Sequence, residues 1–366
     1  MSKTFPRREF LKSTAAMGAG ALAMPAFVSR AWAASDQLNI WAYNGFVTEE
    51  FRNRFEKESG IRLNIRLVSD QGEQFNLLAA ENGNFSTDIV CCAGHRFYQF
   101  VDASFLEPVD TSRLSNWSQI ETEYAEADWV SRGGQRWGVP LLIASMGLLY
   151  NTETFTDTDS WAPMFAEENK GRIAYQIQDF FPIAMDYLGF DGSAARYRGN
   201  TDVAQRAVDA TRDFLIGKKP LVRRFYDSGT EVQQMMVNGD IALAQSWSGA
   251  ASKLILDGFP ASYTIPKEGG WAFAYGFNIV RGAKNLDNAY RFLDALLASP
   301  ENGAAMVRET GYISALKGTE ALLSDEERKV LFLSPEHRGR LTWVNVETAP
   351  FIFDLIDKAA EEIRAA

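Results

Sequence analysis

Cysteine is almost missing from this chain. Cys91 and Cys92 are the only two, and as neighbours they cannot staple distant segments. That excludes a disulfide framework and leaves two buried thiols at a strand end, or a vicinal disulfide in an oxidising compartment, as the readings. Histidine is equally scarce. His95 and His337 stand without Cys or carboxylate at metal-ligand spacing, so no metal site is read. The chain also lacks GxSxG, CxxC and a phosphate-cradling glycine loop, and no convergent acid and base pair stands out. An enzyme is therefore not the reading, and no cofactor is expected. Past the N-terminal region, no apolar run reaches the length of a transmembrane helix. Positive charge is short as well: 37 Lys and Arg face 47 Asp and Glu, for a net of −10. Nucleic acid and anionic membrane surfaces would repel such a protein.

What is present begins at the N-terminus. "PRREFLK" precedes the weakly apolar "STAAMGAGALAMPAF" and then "AWA" ending at Ala33. A positive segment, an apolar segment and a small-x-small site make a secretory signal, with cleavage expected after Ala33. Arg7 and Arg8, followed by Phe10, Leu11 and Lys12, resemble the twin-arginine signal. Residues 1–33 carry Lys3, Arg7, Arg8, Lys12 and Arg30 against Glu9, a net of +4, which puts the exported remainder at −14. The expectation is an exported, soluble, periplasmic protein.

The remainder alternates strand and helix. "QLNIWAYN" reads as a strand, "VTEEFRNRFEKESG" as a helix ending in Gly60, and "IRLNIRLV" as a strand. "DQGEQFNLLAAENG" is helical, "STDIVCCAG" is a buried strand, and a helix follows from about His95. This βαβαβ run predicts a parallel sheet covered by helices. After "WGVPLLIASMGLLYNTETF" the pattern changes, with helices at "SWAPMFAEENKG" and "DVAQRAVDATRDFLIGKKP". A helix, a short strand and a further helix are read in "EVQQMMVNGDIALAQSWSGAASKLILDG". A strand from Phe277 then leads into two helices in "NLDNAYRFLDALLASPENGAAMV".

One stretch raises its own question. In "IPKEGGWAFAYGFNI" a glycine turn leads into Trp271, Phe273, Tyr275 and Phe277, spaced two apart. If extended, that spacing puts all four on one face. A buried strand face explains them, and so does a wall built to hold a ligand.

The order and spacing of "LNIWAYNGFVTEEFRNRFEKESGIRLNI", "TDIVCCAG", "SFLEPVDTSRLSNWSQI", "WGVPLLIASMGLLYNTETF", "GDIALAQSWSGAA", "IPKEGG" and "RETGY" resemble those of the spermidine/putrescine-binding proteins of bacterial ABC importers. The resemblance runs over about residues 36–345. It implies an α/β fold of two lobes, type II-like, joined by crossing hinge segments with the ligand cleft between them. Lobe 1 would comprise 34–145 and 276–325, and lobe 2 would comprise 146–275 and 326–366. It further implies a monomer that binds a small organic amine by hinge closure and is read by an inner-membrane ABC permease.

The same resemblance implies site residues. Phe46 matches an aromatic of the first βα turn, though the turn "YNGFV" is short and a Trp usual before it is missing. A Ser and a Tyr of the family fall on Ala93 and His95, and two amine-holding carboxylates fall near Gln176 and Asp179. Trp247 and Tyr312 keep family aromatics. The family's stacking Trp falls on Phe273, and its main amine-binding Asp falls on Tyr275, where a phenol stands. Losing a carboxylate while keeping aromatics fits fewer or bulkier cationic groups on the ligand, because aromatic faces attract cations without an ion pair.

Separately, Arg223 and Arg224 in "PLVRRFYDSGTE" offer forks for a ligand carboxylate, and the helix after Ser228 and Gly229 offers N–H groups. If one arginine faced the cleft, the ligand would be a zwitterion or quaternary amine such as 4-aminobutyrate or betaine, with Asp179 or Asp227 as ammonium partner. Solvent exposure is the first reading for such a surface pair, and the ligand fork is the alternative. Ferric iron on the same fold, with His95 and Tyr275 contributing, is a further alternative. An exported enzyme and a signalling receptor remain open too.

Overall fold

The computed structural model describes residues 36–68, 71–127, 130–156, 158–343, 345 and 347–366. The signal reading for residues 1–33 lies outside the described residues. In chain order the strands are β1 (Gln37–Ala42), β2 (Arg62–Leu67), β3 (Ile89–Ala93), β4 (Ser131–Arg132), β5 (Gln135–Arg136) and β6 (Val139–Asn151). They continue as β7 (Ile173–Tyr175), β8 (Val222–Phe225), β9 (Leu243–Trp247), β10 (Ala261–Thr264), β11 (Gly270–Ile279), β12 (Ile313–Ser314) and β13 (Leu341–Trp343). Apart from the β4–β5 hairpin, they form one 11-stranded sheet with the path β2-β1-β3-β11-β6-β9-β7-β8.

The predicted βαβαβ opening is present. β1 pairs in parallel with β2 and with β3, the helices Glu49–Ser59 and Gln71–Ala80 making the crossovers. Thr48 caps the first of these helices, and Gly60 closes it in the left-handed region at φ 72°, a conformation that costs glycine little. At the far end β7 is parallel to both β8 and β9. Two long strands, β6 and β11, run antiparallel to each other through the middle.

The hydrophobic interior changes hands along these two strands. On β6, Val139 to Ile143 belong to one core, with Leu38, Ile89, Phe277 and Phe292. From Ala144 onward, Met146 and Leu148 belong to a second, with Trp161, Phe180 and Ile352. On β11 the change falls between Phe273 in the second core and Ala274 in the first. One continuous sheet thus passes from one apolar body to the other, with a further cluster around Leu149, Ala174, Ala244 and Met236 on the strands of the second, which is a two-lobed α/β architecture.

Several local expectations are corrected. "SWAPMFAEENKG" forms two short 3-10 turns, Ala162–Phe165 and Glu167–Asn169, instead of a helix. Ala166 between the two turns is extended, at φ −89° and ψ 134°, which interrupts the helical ladder, and Asn169 Nδ2 ties the segment back onto the Pro163 carbonyl at 2.9 Å. The strand read from Phe277 starts earlier, at Gly270. Cys91 and Cys92 lie inside β3 as buried thiols, and burial drives both thiol pKa values up. Among the described residues no helix is long and apolar enough to cross a membrane.

Candidate ligand-binding site

The aromatic row on β11 divides. Trp271 is buried in the second core, where its Nε1–H donates to Asp186 Oδ2 at 3.0 Å. Phe277 is buried in the first core against Phe292 at 5.7 Å between ring centroids. Phe273 and Tyr275 fall between, at the seam where the cores meet. The register with β6 shifts between Tyr275 and Gly276, so the strand is irregular at that seam.

Tyr275 is the hub. Its ring centroid lies 5.1 Å from Phe46, 5.1 Å from Phe273, 5.3 Å from Tyr312 and 5.5 Å from Tyr43. Most of these contacts are edge-to-face, the arrangement that aromatic quadrupoles favour, each worth about 0.5–1.5 kcal/mol beyond area burial. Tyr43 and Phe46 come from the turn after β1, closed by Phe46 N–H to the Tyr43 carbonyl. Gly45 in that turn has φ 81°, and a Cβ there would stand 2.9 Å from Glu309 Cβ. Only glycine lets this turn approach the helix Pro300–Thr310 that leads to Tyr312. Gly249 does the same from the other side, since a Cβ on it would reach Tyr312 Cε1 at 2.6 Å.

Charge enters from the second lobe. Asp179 lies in the first turn of the helix Ile177–Tyr187, and Gln176 caps that helix by accepting the Asp179 N–H at 2.7 Å. Trp247, the last residue of β9, donates its indole N–H to Asp179 Oδ2 at 2.8 Å. The other carboxylate oxygen faces His95 Nε2 at 3.7 Å, beyond hydrogen-bond reach. His95 follows β3 and packs on Phe273 at 4.7 Å.

Burial, with the Arg96 charge adding to it, pushes the His95 pKa down to about 3. The imidazole is neutral at physiological pH, and its contact with Asp179 is not an ion pair. Burial also raises the Asp179 pKa, opposed by the Arg96 charge and the Trp247 hydrogen bond. Burial raises the Tyr275 pKa strongly, with Tyr312 and Tyr43 adding to it. Tyr312 is pushed up to about 12 by burial. The aromatic and imidazole wall of the site is therefore uncharged, and Asp179 stands in it with one oxygen on the Trp247 indole and the other 3.7 Å from His95 Nε2. Chemically, such a place suits a cationic group with apolar neighbours.

Phe46, His95, Asp179, Trp247, Phe273, Tyr275 and Tyr312 are thus linked through direct ring or polar contacts. Ala93 adjoins them as the register partner of Tyr275, its N–H held by Gln71 Oε1 at 2.9 Å. Gln176 spends its side chain on the cap and on Gln178, so its role is to position Asp179.

Arg223 and Arg224 do not join. They are exposed and paired with Asp240 at 3.5 Å and Glu231 at 3.1 Å. The N–H groups proposed for an anion near Ser228 are also occupied: Glu231 accepts the Asp227 N–H, and Ser228 caps the helix. Asp227 is paired with Arg364. Consecutive arginines on a strand look alike whether the strand is central or, as here, at the sheet edge.

Sequence reasoning missed Tyr43, although the quoted turn contains it, and Arg96, which follows His95 directly. A separate cavity of about 1830 Å³ opens around Ser145, Tyr263, Phe332 and Trp343. None of the aromatic group lines it.

The model of the bacterial extracellular solute-binding proteins matches residues 50–328. That is more than half of the chain. This protein belongs to the bacterial extracellular solute-binding protein family. Its members bind and deliver solutes and are not enzymes. Among curated relatives, a putrescine/agmatine-binding protein of Pseudomonas aeruginosa is 25% identical over 346 residues, covering 87% of this chain and 89% of its own. The putrescine-binding periplasmic protein PotF of Escherichia coli is 27% identical, covering 85% of this chain and 86% of its own. Among solved structures, the spermidine/putrescine transporter substrate-binding protein PotD of Streptococcus pneumoniae superposes with a TM-score of 0.70 at 18% identity, covering 88% of this chain and 99% of that one. That likeness supports the two-lobed fold of this solute-binding protein.

Proposed function

We propose that this protein is the exported binding component of an ABC importer and that its ligand is a small organic amine of the putrescine and spermidine type. The observation that carries the reading is Asp179: a largely shielded carboxylate, its side chain 12% exposed, within a neutral aromatic wall, with one oxygen tied to Trp247 and the other facing a neutral imidazole. An ammonium group fits that place by a charge-assisted hydrogen bond. Phe273, Tyr275, Trp247, Phe46 and Tyr312 supply apolar and cation-attracting faces, about 0.5–2 kcal/mol for each cation–π contact. The amine names of the curated relatives support the same class.

With Tyr275 in place of a carboxylate, the second amine of such a ligand meets phenol hydroxyls instead of an anion. In this reading the lobes are 34–145 with 276–325, and 146–275 with 326–366. The change of core along β6 and β11 supports those boundaries. Ligand joins Phe46, His95 and Tyr312 of one side to Asp179, Trp247 and Tyr275 of the other, which favours closure, and a membrane permease reads the closed monomer. The Arg7 and Arg8 pair is the twin-arginine export signal. With Arg223 and Arg224 facing solvent, a zwitterion has no carboxylate partner from them.

A thermal-shift panel tests the class. Putrescine and spermidine are expected to raise the melting temperature of stripped protein, while 4-aminobutyrate and glycine betaine leave it unmoved. Stabilisation by a zwitterion alone would overturn the reading.

A further inference from the structure

Arg96 is a cation set beside the site's carboxylate. It follows His95, whose ring faces Asp179 at 3.7 Å, and its guanidinium is mostly buried. It does not pair with Asp179. Instead Nη1 and Nη2 donate to the two oxygens of Asp357 at 2.8 and 3.1 Å. The guanidinium lies over the Phe353 ring with Cζ 4.7 Å from the centroid. Phe353 and Asp357 are one turn apart on the C-terminal helix Pro350–Ala365, which packs into the second core through Ile352, Phe353 and Ile356. Phe353 also neighbours His95 and Trp271.

A buried cation without a counterion takes the nearest anion, because leaving it unpaired is costly. The charges of Arg96 and Asp179 already act on each other. An unheld guanidinium would settle on Asp179 and compete with any ammonium for the same oxygen.

We infer that Asp357 is a positioning residue for amine recognition: by clamping Arg96 against Phe353 it keeps the guanidinium off Asp179 and leaves that carboxylate to the ligand. The inference rests on the reading of Asp179 as the ammonium seat. The C-terminal helix is then part of the recognition apparatus through Phe353 and Asp357, which contact Arg96.

Two measurements on Asp357→Asn, on Arg96→Gln/Asp357→Asn and on the conservative Asp357→Glu test it. The first needs no ligand. The indole N–H of Trp247 is bonded to Asp179, so its 1H–15N resonance reports what else sits on that carboxylate. In Asp357→Asn it is expected to move, and in the double variant and in Asp357→Glu to return toward wild type. The second is calorimetric titration with putrescine. Asp357→Asn is expected to bind about tenfold or more weaker than wild type, and the double variant to recover most of that loss.

An unmoved indole resonance in Asp357→Asn, or a double variant as weak as the single one, would overturn the inference and leave Arg96–Asp357 as a clamp for the helix alone. If wild type binds no amine, the proposed function fails, while the indole resonance still decides where Arg96 goes.

Discussion

The indole N–H of Trp247 and the carboxylate of Asp179 meet at 2.8 Å across residues from different elements, the end of β9 and the first turn of the helix Ile177–Tyr187. This bond fixes one carboxylate oxygen and aims the other at the seam between the lobes. The account of the site follows from that geometry.

Asp179→Asn keeps the shape and still offers the indole an acceptor, but removes the charge. Amine binding is expected to weaken by about 2–5 kcal/mol, the cost of losing one member of a buried charge-assisted pair. Folding is expected to move the other way. Burial makes the ionised carboxylate unfavourable in the folded protein, so urea denaturation at neutral pH is expected to find the variant at least as stable as wild type.

Acid stability follows the histidine. His95 is neutral in the folded protein until about pH 3, whereas an unfolded histidine takes up a proton near pH 6.5. Between those values the unfolded chain holds the extra proton, so His95 contributes a loss of stability as pH falls through that window. The raised Asp179 contributes with the opposite sign. Melting temperatures recorded from pH 7 down to 4 are expected to fall less steeply in His95→Gln than in wild type. Parallel curves would show that His95 is not a neutral buried group.

Gly249→Ala adds a methyl group where Tyr312 Cε1 and the Thr310 carbonyl would stand 2.6 Å away. The backbone oxygen cannot yield as a side chain tip could, so a stability loss of about 1–3 kcal/mol is expected. Because Tyr312 must shift, amine affinity is expected to fall with it, which paired denaturation and calorimetry would show.

Trp271→Phe separates core from site. Trp271 belongs to the same row as Phe273 and Tyr275 but donates to Asp186, whose pKa is already raised by burial. Losing that bond is expected to cost about 1–3 kcal/mol of stability with amine affinity unchanged. By contrast, Arg223→Ala and Arg224→Ala touch only exposed pairs, and neither binding nor stability is expected to change by more than about 1 kcal/mol.

Much of this arrangement was legible in the sequence because it is written in short periods. Alternation and helical spacing revealed β1 to β3 and their crossovers, and the paired spacing of Phe273 and Tyr275 put both on one face if extended, although the strand itself was legible only from Phe277. What spacing could not show was which of four aromatics stays in a core. That depends on where β11 passes from one apolar body to the other, a tertiary property. The arginine pair left a ligand fork open beside the first reading of solvent exposure, because an edge strand and a central strand read alike over two residues. Least legible was Arg96 with Asp357, 261 positions apart, where a helix from the chain's end returns to flank the site.

The most direct test of the amine reading is calorimetric titration of residues 34–366, unfolded and refolded to strip ligand, with putrescine into wild type and into Asp179→Asn. Micromolar or tighter binding by wild type and its loss in the variant is the expected result. No heat with wild type, or equal affinity in both proteins, would contradict the assignment of Asp179 as the ammonium seat.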